Sequence, residues 1–251
     1  MALSAKEQKA REMVCLPLDG LHSMEEVRTL VGELSPFVGL FKVGKESYTR
    51  FGPEIVRRVQ EQGGGVFLDL KYHDIPNTVR GAARAAAELG VRIFNVHASG
   101  GAAMMAAAME GAEEAGAGSH RPRVIAVTVL TSIDQGVLNQ ECGVPGALED
   151  QVLRLARLTQ NAGLDGIVCS ATDLGALAGK LDPGFLFVTP GIKGTTTPAG
   201  ADQKRVMSPG RAVAAGSSLL VVGRAITGAA DRKAAAREIL QDIANVLSPD
   251  R

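Results

Sequence analysis

A surplus of either charge is what this chain of 251 residues most plainly lacks. Lys plus Arg and Asp plus Glu each number 27, and the formal net charge is zero. With no basic tail either, the composition gives no support for binding nucleic acid or a membrane surface. Long apolar runs are missing too, since none approaches the ~20 residues that span a bilayer. Cysteine is scarce. Cys15, Cys142 and Cys169 are odd in number, widely spaced and without a CxxC pair, which predicts reduced thiols in a cytoplasm rather than a disulfide framework. The histidines His22, His73, His97 and His120 show no HxH or HExxH spacing, and no metal site is read. Lys6, Glu7, Lys9, Arg11 and Glu12 precede the first apolar run, unlike a secretory signal.

What the chain does have is 45% hydrophobic content, enough for one sizeable core. Short, nearly continuous apolar runs recur at Val14–Leu18, Leu40–Val43, Val66–Leu70, Ile93–Val96, Val124–Thr128, Gly166–Cys169, Phe185–Thr189 and Leu219–Val222. Continuity rather than alternation is expected of parallel strands buried on both faces. Helical patterns lie between them. Ser23 to Glu26 reads as a capping box, followed by Val27, Leu30, Val31 and Leu34 on one face. Ile55, Val56 and Val59 follow Gly52-Pro53, and Val79, Ala82, Ala83, Ala86 and Leu89 precede Gly90. Val152, Leu155 and Ala162 lie between Pro145 and Gly163, and the tail from Asp231 carries Ile239, Ile243 and Val246. Met104, Met105 and Met109 read as helix core or interface. Strand then helix, about eight times without a composition break, predicts a single (β/α)8 TIM barrel over residues 1–251. A doubly wound open sheet would want GxGxxG after the first strand, where this chain has Leu18-Asp19-Gly20-Leu21.

Such barrels carry their active sites at the C-terminal ends of the strands. The polar groups predicted there are Asp19, Lys42, Asp69, Lys71, Asp74, His97, Thr131, Ser132 and Arg224. Asp69 and Lys71 are two apart on a strand and therefore share a face, with Lys42 on the neighbouring strand. Charges gathered in a barrel mouth cost desolvation energy and are weak evidence for stability, so chemistry explains them better. Spacing alone leaves a solvated charge cluster on a loop as the alternative. The run Thr189 to Thr197, leading to Gln203, is rich in Gly and Thr, and Gly223-Arg224 opens a helix. Loops after strands seven and eight form phosphate sites in these barrels. An ordinary glycine loop with a solvated arginine is the bland alternative.

The run Asp69-Leu70-Lys71-Tyr72-His73-Asp74-Ile75-Pro76-Asn77-Thr78-Val79 resembles the defining motif of the orotidine 5′-phosphate decarboxylases. Leu18-Asp19, Phe41 to Gly44, Val96 to Gly101, Thr128 to Ser132, Thr189 to Ile192, Asp202 to Arg205 and Val221 to Arg224 resemble its supporting segments, in the family's order and over nearly the whole chain. The strand-three motif is highly specific, and the others are individually weak. Two departures stand out. Lys193 occupies a position where the family's commonest loop has arginine, which keeps the charge but loses the two-pronged fork. The stretch from Lys193 to Gln203 also reads as one residue longer.

The resemblance implies loss of CO₂ from C6 of the pyrimidine of orotidine 5′-phosphate, giving uridine 5′-phosphate in the last step of pyrimidine biosynthesis. It implies no metal or organic cofactor, so the protein must supply the electrostatics. Lys71 would be the proton donor, and Asp69 would face the substrate carboxylate. Lys42 and Asp74 would complete a Lys–Asp–Lys–Asp array. Asp19 would bind the ribose, Thr131 and Ser132 the pyrimidine, and Lys193, Gln203, Gly223 and Arg224 the phosphate. The stretch containing Asp74, Ile75, Asn77 and Thr78 would cross a homodimer interface, lending Asp74 to the neighbour's site. His97 would support the array and His73 orient the loop carrying Asp74. Two rivals remain: a magnesium-dependent sugar-phosphate decarboxylase or aldolase sharing Asp-x-Lys-x-x-Asp on the same barrel, and a non-catalytic phospho-ligand-binding barrel.

Overall fold

The computed structural model describes residues 3–116, 121–192 and 207–247. Eight parallel strands run in sequence order around a closed barrel: β1 Val14–Pro17, β2 Leu40–Gly44, β3 Gly65–Tyr72, β4 Ile93–His97, β5 Arg123–Val127, β6 Gly166–Val168, β7 Leu186–Thr189 and β8 Leu219–Val221. β1 pairs with both β2 and β8, which closes the ring. The expected (β/α)8 barrel is therefore the fold. A purely parallel sheet must be covered on its outer face, and the helices between the strands do this.

The apolar side chains divide into two cores. Cys15, Leu40, Phe67, Ile93, Ile125, Val188 and Leu219 pack together, with Val168 and Val221 against them. All lie on strands, and together they draw on all eight, so they fill the lumen as the interior layers of such barrels do. A larger cluster joins the strands to the surrounding helices, including Val27, Leu30, Val31 and Leu34 from Met24–Leu34 and Ile55, Val56 and Val59 from Glu54–Glu61. Met104 and Met105, on Ala102–Gly116, are buried in it.

Three local details differ from the sequence reading. The Ser23 hydroxyl accepts from the Glu26 N–H (3.2 Å), but the Glu26 carboxylate accepts from the His22 N–H (2.8 Å), one residue beyond a reciprocal capping box. Val246 closes the helix Arg232–Val246 on its exposed side, while Ile239 and Ile243 are buried. A helix at Ala5–Glu12, capped by Ser4, precedes β1, and the Lys6 ammonium donates to the Leu247 carbonyl (2.8 Å), tying the two ends of the chain together.

Candidate active site

Side chains alternate along a strand, so every second residue from a lumen residue also points inward. From Cys15 that path leads up through Pro17 to Asp19, from Leu40 to Lys42 and Gly44, from Phe67 to Asp69 and Lys71, and from Ile93 to Asn95 and His97. The apolar lumen thus turns polar toward the strand C-termini. There the Lys42 ammonium lies 3.5 Å from Asp19 Oδ1 and 3.2 Å from Asp69 Oδ2, and the Lys71 ammonium lies 2.6 Å from Asp69 Oδ1. The result is one alternating chain, Asp19–Lys42–Asp69–Lys71. Of the predicted catalytic residues, Lys42, Asp69 and Lys71 are brought together within one chain, and Asp19 joins them.

Asp69 and Lys71 meet in a less regular way than strand alternation predicts. The β3–β4 ladder pairs Leu68 with Phe94, then resumes at Tyr72 with Val96. Four steps on β3 therefore match two on β4, and β3 bulges over the extra residues. Lys71 sits at the crest with φ 53°, alone among described non-glycine residues in the left-handed region, a conformation that costs about 1–2 kcal/mol. Asn95, 1% exposed, fills the gap in the ladder. Its Nδ2 donates to Asp69 Oδ1 (2.7 Å), and its Oδ1 accepts the Lys71 backbone N–H (2.8 Å).

Burial by itself would raise the Asp69 carboxyl, but Lys42, Lys71 and Asn95 outweigh it and hold the group below the ordinary carboxylate value. Burial would equally lower Lys42, yet Asp69 and Asp19 hold its ammonium above the ordinary lysine value. Asp69 and Lys42 are thus each kept charged by their neighbours, the way buried ions are sustained. His97 is pushed down to about 4 by burial, and by His73, Lys45 and Lys71 nearby. It is neutral at pH 7, and its ring centroid lies 5.5 Å from that of His73.

A cavity of about 250 Å³ opens beside the charged chain. Lys42, Asp69 and Lys71 line one side. Phe67, Val127, Val129, Val168, Cys169 and Val221 form an apolar floor and wall, and Leu130, Thr131, Ser132 and Pro190 contribute its remaining lining. Thr131 and Ser132 therefore fall where the sequence reading put them, exposed at the mouth. Gly223 caps the short helix Arg224–Thr227 just after β8, and Arg224 is exposed there. Lys193 and Gln203 lie outside the described residues. Asp74, Ile75, Asn77 and Thr78 are exposed around the start of the helix Pro76–Glu88, and the Asp74 carboxylate accepts from the Ile75 N–H (2.7 Å). Asp74 forms no ion pair with Lys42 or Lys71 of its own chain among the described contacts. No three His, Cys, Asp or Glu side chains among the described residues are grouped to hold a metal ion.

Three contributors escaped the sequence reading. Asn95 was detectable as the single amide in the run Ile93 to Val96. Gly44 leaves room for the ion chain: a Cβ there would lie 2.9 Å from the Lys42 ammonium and 3.1 Å from Asp19 Oδ1. The buried Ser47 hydroxyl donates to the Leu18 carbonyl, anchoring the backbone next to Asp19. A lone serine in a helix offers no sequence signal for that role.

Fold and site together define an enzyme of the (β/α)8 class, with lysine–aspartate pairs built on the buried Asp69 and facing a pocket at the catalytic end of the barrel. The chain belongs to the orotidine 5′-phosphate decarboxylase / HUMPS family, whose sequence model matches residues 12–239. It is 48% identical over 239 residues to an orotidine 5′-phosphate decarboxylase of Moorella thermoacetica, covering 93% of each chain. It is 52% identical over 225 residues to one of Nitrosococcus oceani, covering 88% of this chain and 94% of that one. The crystal structure of orotidine 5′-phosphate decarboxylase from Lactobacillus acidophilus superposes with a TM-score of 0.81 at 38% identity, over 92% of this chain and 98% of the other.

Proposed function

We propose that this protein is a carboxy-lyase that converts orotidine 5′-phosphate to uridine 5′-phosphate and CO₂, without metal or organic cofactor, as one domain spanning residues 1–251. The observation that carries this reading is the pair of ammonium groups gripping one buried carboxylate at the edge of the cavity. The named relatives and the family point the same way. Decarboxylation breaks the bond from C6 to the carboxylate carbon, releases CO₂ and leaves the electron pair on C6. The Lys71 ammonium stabilises that charge as it forms and then transfers its proton to C6; water reprotonates the resulting amine. Asp69 lies next to the departing carboxylate and, itself held by Lys42, anchors the Lys71 ammonium in place. Such groups, oriented before substrate arrives, lower the barrier without reorganising during the reaction.

Asp19 is assigned to the ribose, Thr131 and Ser132 to the base, and Gly223 and Arg224, with Lys193 and Gln203, to the phosphate. The phosphate grip is remote from the breaking bond, and its binding energy serves orientation and closure. Asp74 is assigned to the site of a second copy in a cytoplasmic homodimer, crossing with Ile75, Asn77 and Thr78. Ile75 is 66% exposed in the single chain, and an apolar side chain of that size beside an exposed acid suits an interface.

Orotidine 5′-phosphate turnover followed by ultraviolet absorbance tests the reaction. Activity that survives EDTA is expected, and chelator-sensitive activity on a sugar phosphate instead would favour the magnesium-dependent relatives. Binding of the nucleotide without turnover would favour the non-catalytic reading. The shared site is tested by mixing inactive Lys71→Ala and Asp74→Asn proteins. Random exchange gives half hybrid dimers with one intact site each, so about a quarter of the sites should recover. No recovery after demonstrated exchange would return Asp74 to its own chain.

A further inference from the structure

We infer that Asn95 is a positioning residue that holds both Asp69 and Lys71 in their working geometry, an inference resting on the assignment of those two residues made above. One planar amide does two jobs. Its Nδ2 donates to the same Asp69 oxygen that receives the Lys71 ammonium, and its Oδ1 accepts the backbone N–H of Lys71 itself. The orientation of the amide follows from its partners: turned the other way, it would set an N–H against the Lys71 N–H and an oxygen against the Asp69 carboxylate.

The location explains why a side chain is needed. Between the Leu68–Phe94 and Tyr72–Val96 pairs the backbone ladder is interrupted, so Asn95 substitutes for ladder bonds that the bulge removes. The residue held across that gap, Lys71, is the one described non-glycine residue in the left-handed region. Strain of this kind persists only where the surroundings over-determine it. Asn95 is buried in a strand that is otherwise apolar up to His97, so its polarity would be costly without these partners. The amide also divides the two Asp69 oxygens between the lysines: Oδ1 for Lys71 and Asn95, Oδ2 for Lys42. Free rotation of that carboxylate would let both ammonium groups shift.

Asparagine meets this demand whatever the pH. Leucine has the same branching and neither polar atom. Aspartate has the same shape, but when ionised it opposes an oxygen to Asp69. When protonated, one of its oxygens can donate to Asp69 while the other still accepts from Lys71.

The test compares wild type, Asn95→Leu, Asn95→Asp and Lys71→Ala, with kcat and KM measured on correctly folded protein and Tm recorded alongside. Asn95→Leu is expected to lower kcat about 100-fold with KM changed by less than about threefold, as a misplaced reacting group does. Asn95→Asp is expected to be impaired at pH 8 and to regain activity relative to wild type as the pH falls and the introduced carboxyl takes up a proton. The other ionisable groups around that point, Asp69, Lys71, Lys42, His97 and His73, are common to both proteins, so a change in the ratio of rates with pH reports the new carboxyl together with its coupling to Asp69. A lower Tm with kcat unchanged in both variants would make Asn95 purely structural and overturn the inference. So would an Asn95→Asp rate ratio that is flat with pH. If Asn95→Leu does not fold, the Asn95→Asp profile decides. Retained activity in Lys71→Ala would instead sink the underlying assignment, whatever the Asn95 variants do.

Discussion

An ion cluster sits at each end of this barrel, and the two are built to opposite plans. At the N-terminal ends of the strands, Asp165 receives Arg121 Nη1 (2.7 Å) and Nη2 (2.8 Å), Arg123 Nη1 (3.1 Å) and the Val124 backbone N–H (2.7 Å). Its own backbone joins β5 to β7: its N–H donates to the Val124 carbonyl and its carbonyl accepts from Leu186. Arginine clasps it in the two-pronged manner suited to a carboxylate, and the donors saturate it. At the C-terminal ends, lysines replace arginines, the backbone is bulged and left-handed at Lys71, and the ions line a cavity. Lysine offers a compact charge whose remaining protons can turn toward a ligand. Buried charge is therefore a poor guide to function by itself. A saturated cluster on regular strands reads as architecture, whereas one with spare donors, a distorted strand and adjoining space reads as chemistry.

The sharpest way to break this comparison is to remove one ion from each end. Lys71→Ala should lower kcat by at least about 10⁴-fold, since the proton transfer and the charge stabilisation proposed for Lys71 would both go. Lys71→Gly should be equally inactive but more stable than Lys71→Ala by about 1 kcal/mol, because φ 53° carries no steric cost for glycine. Equal stabilities would mean that Lys71 is not held under strain. At the other end, Asp165→Asn should cost about 1–3 kcal/mol of stability through weakened charged hydrogen bonds. It should leave kcat within about twofold, as Asp165 is remote from the cavity lining. Chemical denaturation and steady-state kinetics on the same preparations check both halves. A large loss of kcat in Asp165→Asn would couple the two ends.

How the two ends appear in the sequence differs as well. The strands were legible because each is a short apolar run buried on both faces, and all eight expected runs overlap observed strands by at least three residues. The pairing of Asp69 with Lys71 was legible from their spacing, and the strand-three motif is the basis for the chemistry proposed for them. The bulge that delivers Lys71 was not, because it depends on the register between β3 and β4, which no local pattern records. Asn95 was passed over for the same reason: an amide in an apolar run acquires meaning only when its partners, 24 and 26 residues away, are known. Arg121, Arg123 and Asp165 were likewise silent, since charges next to strand starts are ordinary in sequence. Val246 follows the apolar spacing of its helix yet faces solvent, because the buried face runs through Ile239, Leu240, Ile243, Ala244 and Leu247 and Val246 falls just beyond its edge.

A smaller perturbation sharpens the top cluster without removing a charge. Gly44→Ala places a methyl 2.9 Å from the Lys42 ammonium and 3.1 Å from Asp19 Oδ1. Both atoms end flexible side chains, so the protein should fold and the ion chain should shift by a few tenths of an ångström. About a tenfold loss in kcat/KM is expected, since small misplacements near the reacting centre are costly. An unaltered kcat/KM would show that the Asp19–Lys42 contact is incidental to turnover.

The smallest effect separates the ends by pH. Asp165 is pushed up by burial, but Arg121, the Val124 N–H and Arg123 prevail and hold it below the ordinary carboxylate value. A carboxylate lowered on folding contributes stability that is complete above its unfolded value and is lost as the pH falls through its folded value. The Tm gap between wild type and Asp165→Asn should therefore be constant from neutral to alkaline pH and close on acidification, by about 2–4 °C for each kcal/mol lost. Lys42 behaves in the mirror sense. Burial pushes it down, Asp69 and Asp19 more than compensate, and it is raised. Its contribution is complete below the ordinary lysine value and is lost only as the pH rises through the raised one. The gap between wild type and Lys42→Met should thus persist at neutral pH and narrow at the alkaline limit, where the arginines around Asp165 remain charged. Thermal melts of the three proteins across the pH range decide the matter: gaps that close at the same pH extreme would mean that the two clusters do not titrate as opposite plans require.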